Sequence, residues 1–265
     1  MAIQSVDRAV SILREFSPDA PLLGGTELSR RLDVDRSAIQ RSIASLVEAD
    51  FLERDAVSGK YRLGLGLLEL AGTMLKSRSL PDVTRPYLRY VADQVGESAY
   101  LGCLYDDSVL EIVDVPSVHL VQYSGWMGRR LPLHCTSSGK ALLAGLPPDR
   151  LEQLLATLDL PTMTSRTITD RAQLRAELAK VREQGYATDF GEYEEGSHAV
   201  AVPLLSAGGW APIDIAVVGP AYRFTEEKAR QSTAALSAVA RELSNSFASS
   251  IQQWIQYERS EDSSR

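Results

Sequence analysis

The sequence predicts an α+β fold in two parts: a small, helix-led segment and a larger one built round an antiparallel sheet. Three observations carry this. Residues 4–50 hold three apolar periodicities of helical spacing, and two short alternating runs joined by a turn follow at 51–63. Residues 65–79 repeat leucine at helical spacing. Beyond residue 82, strand-like runs occupy the middle and helices both ends.

The first helix is expected over 4–17, with Val6, Val10 and Leu13 on one stripe beside Ala9 and Phe16. Pro18 and the run Pro21-Leu22-Leu23-Gly24-Gly25 break it. Thr26 is the expected N-cap of a second helix carrying Leu28 and Leu32. After a turn at 33–35, Asp35 caps a third helix that runs to about Asp50 and buries Ile39, Ile43, Leu46 and Val47. Strands are expected at 51–54 and 60–63, joined across 55–59. Three helices and a hairpin, with a tight step between helices two and three, give the order of a winged helix-turn-helix over residues 1–64.

Residues 65–80 read as a linker helix that packs on another chain or domain through its leucines and stops at Pro81. The larger part spans 81–256. A helix at 86–94 carries Leu88, Val91 and Ala92. Strands are expected at 98–105, 109–115 and 119–123, the first two joined at Asp106-Asp107. Helices follow at 139–146, 149–158 and 170–184, with Pro147-Pro148 between the first two. Strands at 199–205 and 213–218 are joined across Ala207-Gly208-Gly209. Thr225 caps a long last helix with Glu226 and Glu227 in its first turn, and Ala229, Leu236, Val239, Leu243, Phe247 and Ile251 along one face. Residues 257–265 read as a disordered tail.

Composition excludes several classes. Of 265 residues, 44% are hydrophobic and 24% charged, which is ordinary for a globular chain. No apolar run approaches the ~20 residues of a membrane span, and the N-terminus has no signal-peptide pattern. The two cysteines, Cys103 and Cys135, make no disulfide framework, and a reducing cytoplasm is expected. The net charge is −7, of which residues 1–62 contribute −1 (nine Lys/Arg against ten Asp/Glu). Any nucleic-acid contact must therefore come from a few placed arginines and not from a basic field.

The third helix supplies such a placement. With Ile39, Ile43 and Leu46 buried, its other face presents Arg36, Ser37, Gln40, Arg41 and Ala44, with no acid before Glu48. Arginine reads guanine, glutamine reads adenine, and serine holds a phosphate or a base edge. Arg54, Lys60 and Arg62 on the hairpin are placed to grip the flanking backbone.

Enzymatic patterns are weaker. Ser137-Ser138-Gly139-Lys140 fits S-x-x-K, but the S-D-N and K-T-G partners are missing. A P-loop fails because His134 stands at the first glycine position and Ala141 at the Ser/Thr. Cys103, His119, His134, Cys135 and His198 show no metal-ligand spacing, so no metal or cofactor is expected. Asp189 with Glu192, Glu194 and Glu195 reads as a polar loop before it reads as an acid/base pair. A better reading joins two features. Thr136-Ser137-Ser138-Gly139 opens a helix whose N–H groups favour an anion, and a glycine-flanked acidic loop at 189–196 leads into a strand. Together they can make a pocket for a small polar ligand.

Four motifs resemble the IclR family of bacterial transcriptional regulators, in order and over nearly the whole chain. They are Leu28 to Arg41, Gly59 to Gly64, Gly128 to Ala141, and Gly185 to Asp189 with Glu192, Gly196 and Ala201-Val202-Pro203. The resemblance implies a winged helix-turn-helix, a linker helix and a GAF-like effector domain. It implies a dimer, and in some relatives a dimer of dimers, on a partly palindromic DNA operator, with a small organic-acid or aromatic effector. Ser37, Gln40 and Arg41 match the family's DNA-reading positions, and Ala38 falls among them where relatives frequently carry threonine. Thr136, Ser137, Ser138, Asp189, Ala199, Ala216 and Val218 match pocket-lining positions. The last three are apolar where relatives can carry cysteine or serine, which favours a ligand with an apolar or aromatic part. The expected function is thus an effector-responsive, DNA-binding regulator and not an enzyme. The alternatives are a serine hydrolase using the 136–140 segment and a DNA-binding protein that needs no ligand.

Overall fold

The computed structural model describes residues 3–78, 80–205 and 211–246. The chain forms two compact units, 1–78 and 79–265. Among the described residues, no helix is long and apolar enough to cross a membrane.

The first unit holds helices α1 (Gln4–Arg14), α2 (Gly25–Leu32) and α3 (Arg36–Glu48), strands β1 (Leu52–Arg54) and β2 (Tyr61–Leu63), and helix α4 (Gly66–Arg78). Its core is Ile12, Leu23, Leu28, Ile39, Ile43, Leu46 and Leu52. Asp35 caps α3, its carboxylate accepting from the backbone N–H groups of Ser37 and Ala38. Asp33 ends α2 in the left-handed region (φ 51°), which makes the tight step to α3. The hairpin pairs Leu52 with Leu63, Glu53 with Arg62 and Arg54 with Tyr61, and Leu23 bridges Tyr61.

Three expectations shift here. The first helix stops at Arg14, and its buried residue is Ile12, while Val6 and Val10 are exposed. Ile12 is the α1 side chain fully inside the cluster that holds Leu28, Ile39 and Ile43, with Ala9, Leu13 and Phe16 packing beside it. Thr26 is not the N-cap of α2; the N-cap lies two residues earlier, at Gly24, with no side-chain cap. Val47 is half-buried and not in the core.

The second unit carries α5 (Leu80–Val95), β3 (Ser98–Tyr105), β4 (Ser108–Val115), β5 (Arg130–Pro132), α6 (Ser137–Gly145), α7 (Pro148–Thr157), α8 (Arg171–Gln184), β6 (Ala187–Phe190), β7 (Ser197–Pro203), β8 (Ile213–Pro220) and α9 (Glu226–Ser246). The strands form one antiparallel sheet in the order β5-β4-β3-β8-β7-β6. Alternation along each strand feeds two cores. One joins Leu101, Cys103, Ile213, Ile215 and Val217 to α5 and α9. The other joins Tyr100, Leu104, Ala216 and Val218 to α6, α7 and α8.

Prolines explain several boundaries. Pro81 stands in the first turn of α5, and the helix runs on through Pro86, where its start was expected. Pro148 opens α7 at its first turn. The strand expected at 119–123 is absent: those residues bend, with Leu120 and Val121 exposed. The ladder is taken instead by β5, three residues ending in Pro132, too short to stand out in the sequence. β6 was expected as loop, and β7 starts two residues earlier than expected. Thr225 does cap α9, its Oγ1 accepting from Lys228 N–H at 3.3 Å. The 207–209 connection, Phe247, Ile251 and the 257–265 tail lie outside the described residues.

Gly139 fixes where α6 sits. A Cβ there would stand 2.4 Å from the Leu133 Cα and carbonyl oxygen. The helix therefore lies directly on the backbone that leads into it. Gly139→Ala is expected to destabilise the fold by at least ~1–3 kcal/mol, the cost of overpacking against unyielding backbone. Gly72→Ala in α4, with nothing within 4 Å, should be neutral or stabilising by ~0.5–1 kcal/mol. Urea unfolding of the two variants against the parent checks both.

Candidate functional site

Two sites emerge, one in each unit. In the first, α3 exposes Arg36, Ser37, Gln40 and Arg41. Three of these are already ordered. The Ser37 hydroxyl donates to Asp35, and Arg41 Nη1 donates to Ser37 Oγ at 3.3 Å. The Gln40 carboxamide folds back over Gly25, where an added Cβ would stand 2.1 Å from Nε2. Glycine at 25 leaves the space that the Gln40 side chain occupies. The Ser37 hydroxyl, with backbone N–H groups behind it, holds the Asp35 carboxyl below its ordinary range.

The remaining expected positions separate. Ala38 is 8% exposed and faces the core, so only its neighbours project. Lys60 is exposed at the hairpin. Arg62 is not a free cation: it makes a two-point pair with Glu53 across the ladder, at 2.7 and 3.2 Å. That pair is exposed and exchangeable. Arg36, Ser37, Gln40 and Arg41 thus form one face, with Lys60 and Arg62 on a separate hairpin.

In the second unit, Thr136, Ser137, Ser138, Asp189, Ala199, Ala216 and Val218 all line one cavity, together with Glu111, Trp126, Leu131, Tyr193 and Ser197. The register brings them there. Asp189 pairs with Ala199, and Ala199 with Val218. Ala216 lies two residues back on the same face of β8, between Tyr100 of β3 and Ala201 of β7. The open end of α6 faces this floor. Thr136 Oγ1 accepts from Gly139 N–H at 3.1 Å and donates to the Pro132 carbonyl at 2.7 Å. The backbone N–H groups of Ser137 and Ser138 are first-turn donors that the helix cannot satisfy. The space is narrow, about 20 Å³ for the centre of a water-sized sphere, room for a water and not for an organic molecule.

A loop roofs the cavity. Trp126 stacks tilted on Tyr100 at 5.2 Å and meets the edge of Tyr123 at 5.5 Å. Asp114 Oδ2 accepts from the Gly125 and Trp126 N–H groups at 2.6 and 3.3 Å, and Arg129 lies 5.1 Å over the Trp126 ring.

The cavity is rich in buried carboxyls. Asp189 Oδ1 accepts from the Glu192 and Tyr193 N–H groups at 2.7 and 3.4 Å, which shapes the following loop. Burial nevertheless pushes its pKa up to about 7. Lys140 is fully buried, paired with Glu192 and 3.8 Å from Glu177. Its ammonium is committed to carboxylates, which removes the base that the S-x-x-K reading required. His134 Nε2 lies 3.0 Å from the Pro161 carbonyl and His198 Nδ1 2.8 Å from that of Phe224. Among the described residues, no three His, Cys, Asp or Glu side chains cluster as metal ligands would.

Sequence reasoning missed Glu111, Trp126 and Tyr193. For Glu111 a signal existed: it interrupts the apolar run Val109-Leu110 and Ile112-Val113, as Asp214 interrupts β8, and acids are rarely buried without a reason. For the roof residues there was none, because the loop has no periodicity.

The model of the bacterial transcriptional regulator IclR C-terminal domain matches residues 72–245, and that of the IclR helix-turn-helix domain matches residues 5–56. The HTH-type transcriptional regulator KdgR of Escherichia coli is 32% identical over 243 residues, covering 92% of each chain. The HTH-type transcriptional regulator BhcR of Paracoccus denitrificans is 31% identical over 242 residues, 91% of this chain and 86% of its own. Among solved structures, an IclR transcriptional regulator from Alicyclobacillus acidocaldarius superposes with a TM-score of 0.81 at 27% identity, covering 92% of this chain and 99% of that one. An IclR homologue from Microbacterium hydrocarbonoxydans, complexed with 4-hydroxybenzoate, gives 0.73 at 29% identity, covering 90% and 99%.

The Asp189 environment has a pH consequence. Its carboxyl binds a proton more tightly folded than unfolded, so its contribution is present at low pH and is lost as pH rises from 3.8 to about 7. Asp189→Asn removes that loss. Melting temperatures followed from about pH 4 to about pH 7 should fall less in the variant than in the parent; parallel curves would refute the assignment.

Proposed function

The chain belongs to the IclR family of bacterial transcriptional regulators, and from that membership we propose that it works in the cytoplasm as a dimer whose DNA affinity is set by a small effector. The regulator class and the helix-turn-helix are shared with its relatives, which are named as regulators and not as enzymes. The finer reading has three parts.

First, α3 enters the major groove, with Arg41, Gln40, Ser37 and Arg36 toward bases and phosphates and Lys60 and Arg62 on the flanking backbone. The exposed, acid-free face of α3 supports this. Second, exposed apolar residues support pairing with a second copy: Val6 and Val10 on α1, Leu68 and Leu70 on α4, and Leu65 just ahead of it. Pairing sets the half-site spacing, and a dimer of dimers would bridge two such sites. Third, the cavity beneath α6 receives the effector. The observation that carries this is the convergence of seven positions from four separate segments on one cavity, with the first-turn amide donors of α6 at one side and an alanine–valine floor at the other. That lining fits a small acid with an apolar or aromatic body. The complex of the Microbacterium homologue with 4-hydroxybenzoate points the same way. Because the free cavity is narrow, an effector must displace the Trp126 roof. That displacement is the event that distinguishes liganded from free protein, with a coupling to DNA of ~1–3 kcal/mol.

Fluorescence anisotropy on the DNA beside the protein's own gene tests the first part. Saturable binding should weaken steeply with salt, and Arg41→Ala should cost ~1–3 kcal/mol. Binding that survives Arg41→Ala unchanged would remove α3 from the interface. Thermal melting with benzoate, 4-hydroxybenzoate and short oxo acids tests the third. A true effector at a hundred times its Kd should add ~2.7 kcal/mol, and Ala216→Val, which raises the floor by two methyl groups, should reduce that gain while leaving ligand-free DNA binding intact. A gain unchanged in Ala216→Val would place the ligand elsewhere.

A further inference from the structure

Two acids in the second unit sit where acids are costly. Glu111 is 2% exposed and Asp214 is fully buried. They belong to different strands, but both are registered to the same residue of β3: Gly102 pairs with Glu111 on one side and Asp214 on the other. A bulge between Leu101 and Gly102 makes this possible. It sets Ile112 and Val113 together on the α5/α9 side and returns both Glu111 and Asp114 to the cavity side.

Gly102 has no side chain to separate the two acids. A Cβ there would stand 2.7 Å from Asp214 Oδ1 and 3.6 Å from Glu111 Oε2. Glu111 Oε2 and both oxygens of Asp214 are buried with no hydrogen-bond partner. Glu111 also lines the cavity.

The charged and titratable groups around the pair give it no counter-ion. Asp114 on β4 and Asp189 on β6 are further acids, and Tyr100 on β3 is a neutral phenol whose proton burial holds. On α6, Ser138 stands near Asp214 without completing a hydrogen bond to it, and Lys140 is held by Glu192 and Glu177. Arg129 is engaged with the Tyr193 hydroxyl and the Trp126 ring, and Arg130 with Asp106. Burial, reinforced by the charges of Asp214 and Asp114, lifts Glu111 well above the carboxylate range, and burial brings Asp214 to about 7. Two adjacent carboxylates without a cation do not both ionise in such surroundings.

We propose that Glu111 and Asp214 hold a proton between them at neutral pH, and that the neutral Glu111 carboxyl is a hydrogen-bond donor of the cavity, determining specificity for a ligand with an acceptor oxygen, a carboxylate or a carbonyl. This rests on the effector reading of the cavity. An ionised Glu111 would repel an anionic ligand, whereas the acid form donates to one. The apolar floor then selects the ligand's body, and Glu111 selects its polar end.

The shared proton is read from the ligand-free, full-length protein by infrared spectroscopy. The C=O stretch of neutral carboxylic acids should be present at neutral pH; the part that belongs to the pair should be lost in the Glu111→Gln/Asp214→Asn double variant and retained in Asp189→Asn, which takes away the contribution of Asp189. No such band in the parent, or a band unchanged in the double variant, overturns the proposal. The donor role is read with 4-hydroxybenzoate as the probe. Its addition should shift the band. Glu111→Gln, which keeps a neutral donor, should bind within about twofold of the parent, and Glu111→Leu at least about tenfold more weakly, a loss of ~1.4 kcal/mol. Equal binding by Glu111→Leu overturns the donor role. If neither 4-hydroxybenzoate nor any other acid of the melting series binds, the donor role falls with the effector reading, and the shared proton stands or falls on its own band.

Discussion

The register of β3 between β4 and β8 is the constraint on which the rest of the second unit depends. Side chains alternate strictly across a sheet, so one pairing decides every face at once. With Tyr100 opposite Ala216, Ala216 and Val218 must face α6, and the ladder carries that choice through Ala199 to Asp189. A one-residue slip would turn this wall to the α5/α9 core and drive Ile215 and Val217 against α6 in its place. The voids left on one face and the overpacking on the other, ~1–3 kcal/mol for each side chain, lock the register. The cavity therefore takes its stability from the two cores on either side and needs none of its own.

That independence explains the chemistry the cavity tolerates. Buried carboxyls, a buried lysine and first-turn amide donors all cost free energy. They gather at one end of one helix. The apolar cores against α5 and α9, and against α7 and α8, carry the fold. Lys140, Glu192 and Glu177 form the compensated part of this polar cluster; Glu111 and Asp214 form the uncompensated part.

How much of this was legible in the sequence follows from the range of the interactions involved. The winged head was legible because its signals are local: a cap at Asp35, a glycine-rich break, a hairpin with Gly59 at its turn. The class of the larger unit was also legible from the order of strands and helices. The elements that misled are those decided by distant partners. Val6 and Val10 obey helical spacing as well as Ile12 does, and only the α3 side of the core chooses between them. β5 and β6 exist because β4 and β7 offer them a ladder, and neither has enough residues to announce itself. The 119–123 run has strand composition and no partner, so it stays irregular. At the site, the seven cavity positions came from motif resemblance. Glu111 and Asp214 were visible as acids inside apolar strands, but that they meet depends on Gly102 and a bulge, and no single-sequence pattern reports a bulge.

The clamped cations of the head bear on how such a protein searches a genome. Loose, sequence-blind adhesion to DNA comes from counter-ions released as free lysines and arginines meet phosphates. Here Arg62 already lies against Glu53, and Arg31 against Glu27 and Glu15, on a segment of slightly negative charge. In the proposed DNA complex each of these arginines would exchange its carboxylate for a phosphate, at ~0–1 kcal/mol for an exposed pair, so the two would add less to sequence-blind adhesion than free cations and leave more of the discrimination to the α3 side chains.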